Sequence, residues 1–200
     1  MTFKLKRYNT AMEKNANQVL KELKEFKAPR YHELPQIPLY MDQVVYYVNS
    51  ILDSLLVNQK GPSITASMVN NYVKSSIVKP PVKKKYKDYH LAFLIVVCLL
   101  KRCYSLSEIE QMIQIHSNIF DPERYHMSFD SFIGTFERSL HEIMETGQVV
   151  TSSFEHPTPE QNLMETAIHA VVCKICTEYK LLEFEEINVH SNSEAKDQRN

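Results

Sequence analysis

Apolar side chains recur along most of this chain at helical intervals, and prolines and polar caps separate the repeats. Met12, Ala16, Val19, Leu23 and Phe26 follow at steps of four and three. This is the seam of an amphipathic helix over 11–27, which Ala28-Pro29 must end. Such a seam serves for packing within the chain or for pairing with a second copy. Residues 31–40, YHELPQIPLY, read as a proline-punctuated linker. Asp42 then caps a helix whose Val44, Tyr47, Val48, Ile51, Leu52, Leu55 and Leu56 form a broad core-facing stripe. Lys60-Gly61-Pro62 closes it.

A further helix is expected over 65–77, capped by Ser63 or Thr65. Wound at about 100° per residue, it puts Val69, Tyr72, Val73 and Ile77 on one face. Ser67, Asn70, Asn71 and Lys74 fall on the other. Serine and paired asparagines are mediocre helix formers, so a face built from them points to contacts rather than to mere solvation. Asparagine can bond adenine bidentately in the major groove, and lysine suits guanine or phosphate. Pro80-Pro81 forces the next stretch to be extended. Lys83, Lys84, Lys85, Tyr86 and Lys87 follow, placed where a wing beside a recognition helix would grip phosphates.

Asp88 is the expected cap of a helix over 89–103 that is apolar on nearly every side, hence the centre of the core. Ser105–Glu108 is a capping box for a helix with Ile109, Met112 and Ile113 inside. Ser128 is the expected cap of another helix through Thr146, burying Phe129, Phe132, Ile133, Phe136, Leu140, Ile143 and Met144, with Gly147 ending it. After a loop over 148–157, Thr158-Pro159-Glu160-Gln161 starts a helix expected to reach about Leu182. The polar tail from His190 is expected to be disordered.

These patterns make the chain all-α, and its three glycines exclude a Gly-rich phosphate loop. The net charge of −1 conceals a strong asymmetry. Residues 61–103 hold eight Lys/Arg against one Asp/Glu, net +7, whereas residues 104–200 hold six against seventeen, net −11. A basic block confined to the helix-and-wing segment is the electrostatic footprint of a protein that binds a polyanion. The longest apolar run, Leu91–Leu100, is too short to span a membrane. No signal-peptide pattern opens the chain, and its four cysteines suit free thiols in a reducing cytoplasm.

Cys173-x-x-Cys176, with His169 nearby, raises a metal or redox reading. The pair sits inside VVCKICTEY, an apolar helical stretch where cysteine packs as a small hydrophobe. His116, His126, His141 and His156 share no ligand spacing. With no nucleophile motif and no paired carboxylates, no catalytic residue, cofactor or metal is expected, and the chain does not read as an enzyme.

Residues 64–109 resemble the MerR-type winged-helix domain of bacterial transcriptional regulators. The likeness rests on Met68-Val69-Asn70-Asn71-Tyr72 in the recognition helix and on Ile77-Val78 after it. It continues through Pro80-Pro81, Tyr86-Lys87, His90-Leu91-x-x-Leu94 and Ser105-Leu106-Ser107-Glu108-Ile109. Asn70 stands where that family has a phosphate-binding arginine, and Ser76 where it has a turn glycine. The longer string from LPQIPLYMDQV through SMVNNYVK to PPVKKKY is similar to an uncharacterised bacterial domain-of-unknown-function family, over about residues 34–180.

The resemblance implies a cytoplasmic regulator that binds double-stranded DNA as a homodimer and answers to an unidentified small-molecule effector. Its parts would be an N-terminal arm and linker (1–39), a winged helix-turn-helix domain (40–115), a helical dimerisation and effector domain (116–189) and a disordered tail (190–200). Thr65, Ser67, Asn70, Asn71 and Lys74 would meet base edges or nearby phosphates, and Lys83, Lys84, Lys85, Tyr86 and Lys87 the backbone. The alternative is a protein-interaction module that keeps the winged-helix fold without binding DNA.

Overall fold

The computed structural model describes residues 15–57, 61–115, 125–149, 152 and 154–197. Among them are seven α-helices: α1 (Ala16–Lys24), α2 (Met41–Leu52), α3 (Ala66–Lys74), α4 (Asp88–Leu100), α5 (Leu106–Ile115), α6 (Tyr125–Thr146) and α7 (Pro159–Asp197). No β-strand longer than an isolated bridge occurs among the described residues. The all-α expectation holds at that level.

Several helix starts follow from local hydrogen bonding that the sequence spells out. Thr65 Oγ1 accepts the Met68 N–H at the head of α3. Ser105 and Glu108 bond each other's backbone N–H, and so do Thr158 and Gln161. Two expected caps are displaced. The N-cap of α2 is Tyr40, whose N–H donates to Gln43 Oε1, and Asp42 lies inside the first turn. The N-cap of α4 is Lys87, whose N–H donates to His90 Nδ1. Ser128 caps nothing, because α6 already begins at Tyr125. Gly147 ends α6 at a positive φ of 72°, where a side chain would be strained.

α4 occupies the middle of the molecule and packs on α2, α6 and α7. Leu91, Leu94, Ile95 and Val97 are wholly buried, so most of the apolar surface of α4 is covered, with Phe93 and Val96 half-buried. Arg102, just past its end, forms a largely buried ion pair with Glu178 of α7. Around this centre lie two groupings. α2 and α3 cover one flank, while α1 packs between α6 and α7.

The α1 seam is therefore spent inside the chain. Ala16, Val19, Leu23 and Phe26 are all buried, with Phe26 edge-on to Phe136 at 5.8 Å. Met12, its expected first member, lies outside the described residues. The stretch after α1 is held by a polar row on α6. His141 Nε2 bonds the Phe26 carbonyl, Glu137 accepts the Ala28 N–H at 2.8 Å, and Asp130 accepts the Tyr31 N–H at 2.7 Å. Arg30 completes the row through a 2.5 Å ion pair with Glu137. α7 does not stop near Leu182 but continues to Asp197, into the stretch expected to be a disordered tail.

Candidate nucleic-acid interface

α3 separates its faces as its sequence dictates. Val69 and Tyr72 are buried against the body, whereas Ser67, Asn70, Asn71 and Lys74 are exposed. Thr65 is half-buried, and its hydroxyl is occupied in capping. The start of the helix is fixed by Asn49 of α2. Its Nδ2 donates to the carbonyls of Val45 (2.8 Å) and Ile64 (2.9 Å), and its Oδ1 accepts the Ile64 N–H (3.0 Å). Asn49 is only 4% exposed and Ile64 is fully buried, so one side-chain amide satisfies both backbone polar groups of a buried residue. This clamp ties the stretch just before α3 to α2.

The far end of α3 is equally defined. The Ile77 N–H reaches the Tyr72 carbonyl (3.0 Å) and the Ser76 N–H reaches that of Val73 (3.1 Å), with Ser76 left-handed at φ 61°. This is a Schellman ending, in which glycine usually holds the left-handed position. Ser76 adopts the backbone that its position requires without the residue type that makes it easy.

Beyond Pro80-Pro81 the chain forms a miniature hairpin. Val82 and Lys85 exchange both backbone hydrogen bonds (3.2 and 3.0 Å) across Lys83 and Lys84. Both of those lysines have positive φ, 49° and 63°, the turn geometry that matches hairpin twist. The other side of the hairpin pairs with the proline-rich stretch. Leu39 and Tyr86 exchange two 2.8 Å backbone bonds. What the sequence presents as a linker is thus the third arm of a small antiparallel array.

Lys83, Lys84, Lys85 and Lys87 are exposed, as expected of a basic tip. Tyr86 is not. It is 3% exposed and stands edge-on to His90 at 5.4 Å, so its expected backbone-gripping role is corrected to one in the core. The reason is register: Leu39 and Tyr86 are paired, and both point inward. The exposed aromatic of this array is Tyr40, with the Lys85 ammonium 5.2 Å from its ring centroid. Strand alternation at the 39–86 pairing would have found Tyr40, but only a long-range pairing reveals that register.

His90 anchors the hairpin to α4. Its ring is fully buried, stacks on Tyr89 at 3.9 Å, and accepts the Lys87 N–H at 2.9 Å. Burial pulls its pKa down against the opposing influence of the Pro80, Lys87 and Lys79 backbone. Lys79 turns away from the basic tip, its Nζ meeting the Tyr125 hydroxyl at 3.0 Å.

Elsewhere, an apolar cavity of ≈ 860 Å³ lies among α4, α5, α6 and α7, lined in part by Phe93, Met112, Phe129, Phe132, Leu163 and Met164. Cys173 is half-buried and Cys176 buried within α7. Among the described residues no three metal-ligating side chains come together, and no helix is long and apolar enough to cross a membrane.

The family described as Domain of unknown function (DUF1836) has a sequence model that matches residues 29–132. The matched span includes the Leu39 arm, α2, α3, the lysine hairpin, α4 and α5. Its description carries no function and no link to MerR-type regulators. No curated protein and no solved structure matches the chain.

Proposed function

We propose that this chain, which belongs to the family described as Domain of unknown function (DUF1836), is a DNA-binding transcriptional regulator of MerR-like winged helix-turn-helix type. The observation that carries the reading is the joint exposure of two neighbouring features. One is the short polar face of α3, with Ser67, Asn70, Asn71 and Lys74 in solvent. The other is a hairpin tipped by Lys83 and Lys84, with Lys85 and Lys87 beside them. α3 would enter the major groove with Asn70 and Asn71 toward base edges. The lysines would neutralise flanking phosphates, which positions the protein without reading sequence. Net +7 over residues 61–103 supplies the attraction, and the acidic half keeps the rest of the molecule away from the duplex.

Two further features support a dimer that responds to a ligand. Leu181, Phe184 and Ile187 leave more than half of their surface exposed on α7, spaced three apart on one helical stripe. A second copy would cover them and would bring two recognition helices to successive major grooves. The apolar cavity touches both α4–α5 and α6–α7, so an effector bound there would bridge the DNA-facing half and the dimer-facing half. Selection of bound duplexes from a random pool tests the reading. Enrichment of a two-fold symmetric site supports it, and a pool that stays random refutes it and favours the protein-interaction alternative.

A further inference from the structure

The small antiparallel array has an outer face as well as an inner one. Leu39 and Tyr86 point inward, so their chain neighbours Tyr40, Lys85 and Lys87 point outward. Val82 is directly paired with Lys85 and is 60% exposed, which places it on the same outer face. The result is a row of Val82, Lys85 and Tyr40 across three arms of chain. Tyr40 leaves 51% of its surface in solvent, as alternation with the buried Leu39 dictates. Its backbone is pinned, because its N–H is held by Gln43 at 2.9 Å. The Lys85 ammonium stands 5.2 Å from its ring centroid, within the range where the ring's negative face attracts a cation.

An ammonium on a four-carbon stem normally samples many positions. Attraction to the Tyr40 ring favours the positions close to it. A tyrosine hydroxyl beside it adds a neutral donor that a phosphate oxygen can accept. We propose that Tyr40 is the aromatic that meets the DNA backbone: it donates its hydroxyl to a phosphate and holds Lys85 in place to neutralise the next one. This rests on the duplex-binding reading above and extends it to a residue outside the recognition helix and the lysine run. Tyr40 acts as a positioning residue for Lys85 and a phosphate contact in its own right.

The test is a double-mutant cycle on binding of a mixed-sequence DNA duplex, repeated over a range of salt. Lys85→Ala removes one neutralising charge and lowers the salt slope by roughly 0.9. Tyr40→Phe keeps the ring and loses the hydroxyl, weakening binding about threefold with the slope unchanged. Tyr40→Ala loses both functions, weakening binding about tenfold and reducing the slope as well. In a Lys85→Ala background, Tyr40→Ala costs no more than Tyr40→Phe, because there is no ammonium left to hold. A merely structural tyrosine would move the melting temperature and leave the slope and the coupling alone. Wild-type affinity in both Tyr40 variants, or strict additivity with Lys85→Ala, overturns the proposal while leaving the duplex-binding reading intact. Absence of any duplex binding by the unmodified protein removes that reading, and the proposal with it.

Discussion

Asn49→Ala is the substitution whose cost follows most directly from the structure. The amide makes three hydrogen bonds, two of them to the peptide groups of Ile64. The Val45 carbonyl lies one helical turn back within α2, so losing its bond to Asn49 matters least. Ile64 has no such reserve. Its N–H and its carbonyl both face Asn49, and the residue is fully buried. Each buried group left unpaired costs about 1–3 kcal/mol. Offset by the Asn49 amide no longer being desolvated, the net loss is about 3 kcal/mol. For a chain of this size that corresponds to a fall in melting temperature of roughly 6–12 °C. Urea unfolding measures the free energy, and hydrogen exchange at the Ile64 amide locates it. The reasoning holds if Ile64 loses protection along with the fall in stability. It fails if Asn49→Ala costs no more than about 0.5 kcal/mol, the ordinary range for a surface change, or if Ile64 stays as protected as before.

Replacing the left-handed Ser76 or Lys84 by glycine should stabilise the chain by about 1 kcal/mol each, measured by thermal unfolding. An unchanged or lower midpoint would mean that those backbone angles carry no strain. His90 is held neutral by burial below its ordinary pKa. The unfolded chain therefore takes up its proton first, so stability should be full above about pH 6.5 and fall below it, by at most about 1.4 kcal/mol per pH unit. His90→Gln keeps an acceptor for the Lys87 N–H and should flatten that acid limb; an equally steep limb in the variant would assign it elsewhere. The Cys98 thiol is pushed up to about 12 by burial, leaving about one part in ten thousand ionised at pH 8. Thiol reagents should therefore modify the exposed Cys103 in the native protein and Cys98 only on unfolding. Equal native rates at the two would contradict the buried position of α4.

Those parts of the fold written in local chemistry were legible in the sequence. Thr65, Ser105–Glu108 and Thr158–Gln161 cap their helices through bonds that span three residues, and a three-residue pattern carries them. The burial of α4 follows from its being apolar on nearly every side, and the burial of α6 and the two faces of α3 follow from apolar periodicity. What escaped depends on distant partners. The stretch 31–40 looks like a linker because nothing in it announces a pairing with residue 86 or a row of acceptors on α6. Tyr86 is buried rather than exposed for that reason, and Tyr40 stands in solvent. Asn49 reads as one polar residue on an apolar helix until Ile64 is folded against it. α7 runs past its expected stop into residues 190–197, whose polar composition lacks the apolar stripe by which helices are recognised.

The central claim is that the exposed face of α3 and the lysine hairpin together bind duplex DNA, and salt dependence tests it most directly. Lys74, Lys83, Lys84, Lys85 and Lys87 are all exposed. If each neutralises one phosphate, log affinity falls with log salt at a slope of roughly −4.5 per protomer. Alanine at Lys83, Lys84 and Lys85 together should reduce that slope by roughly 2.7 and weaken all sequences alike, whereas Asn71→Ala should leave the slope unchanged and relax sequence preference. No binding at low salt, or binding whose slope is indifferent to the three lysines, would contradict it.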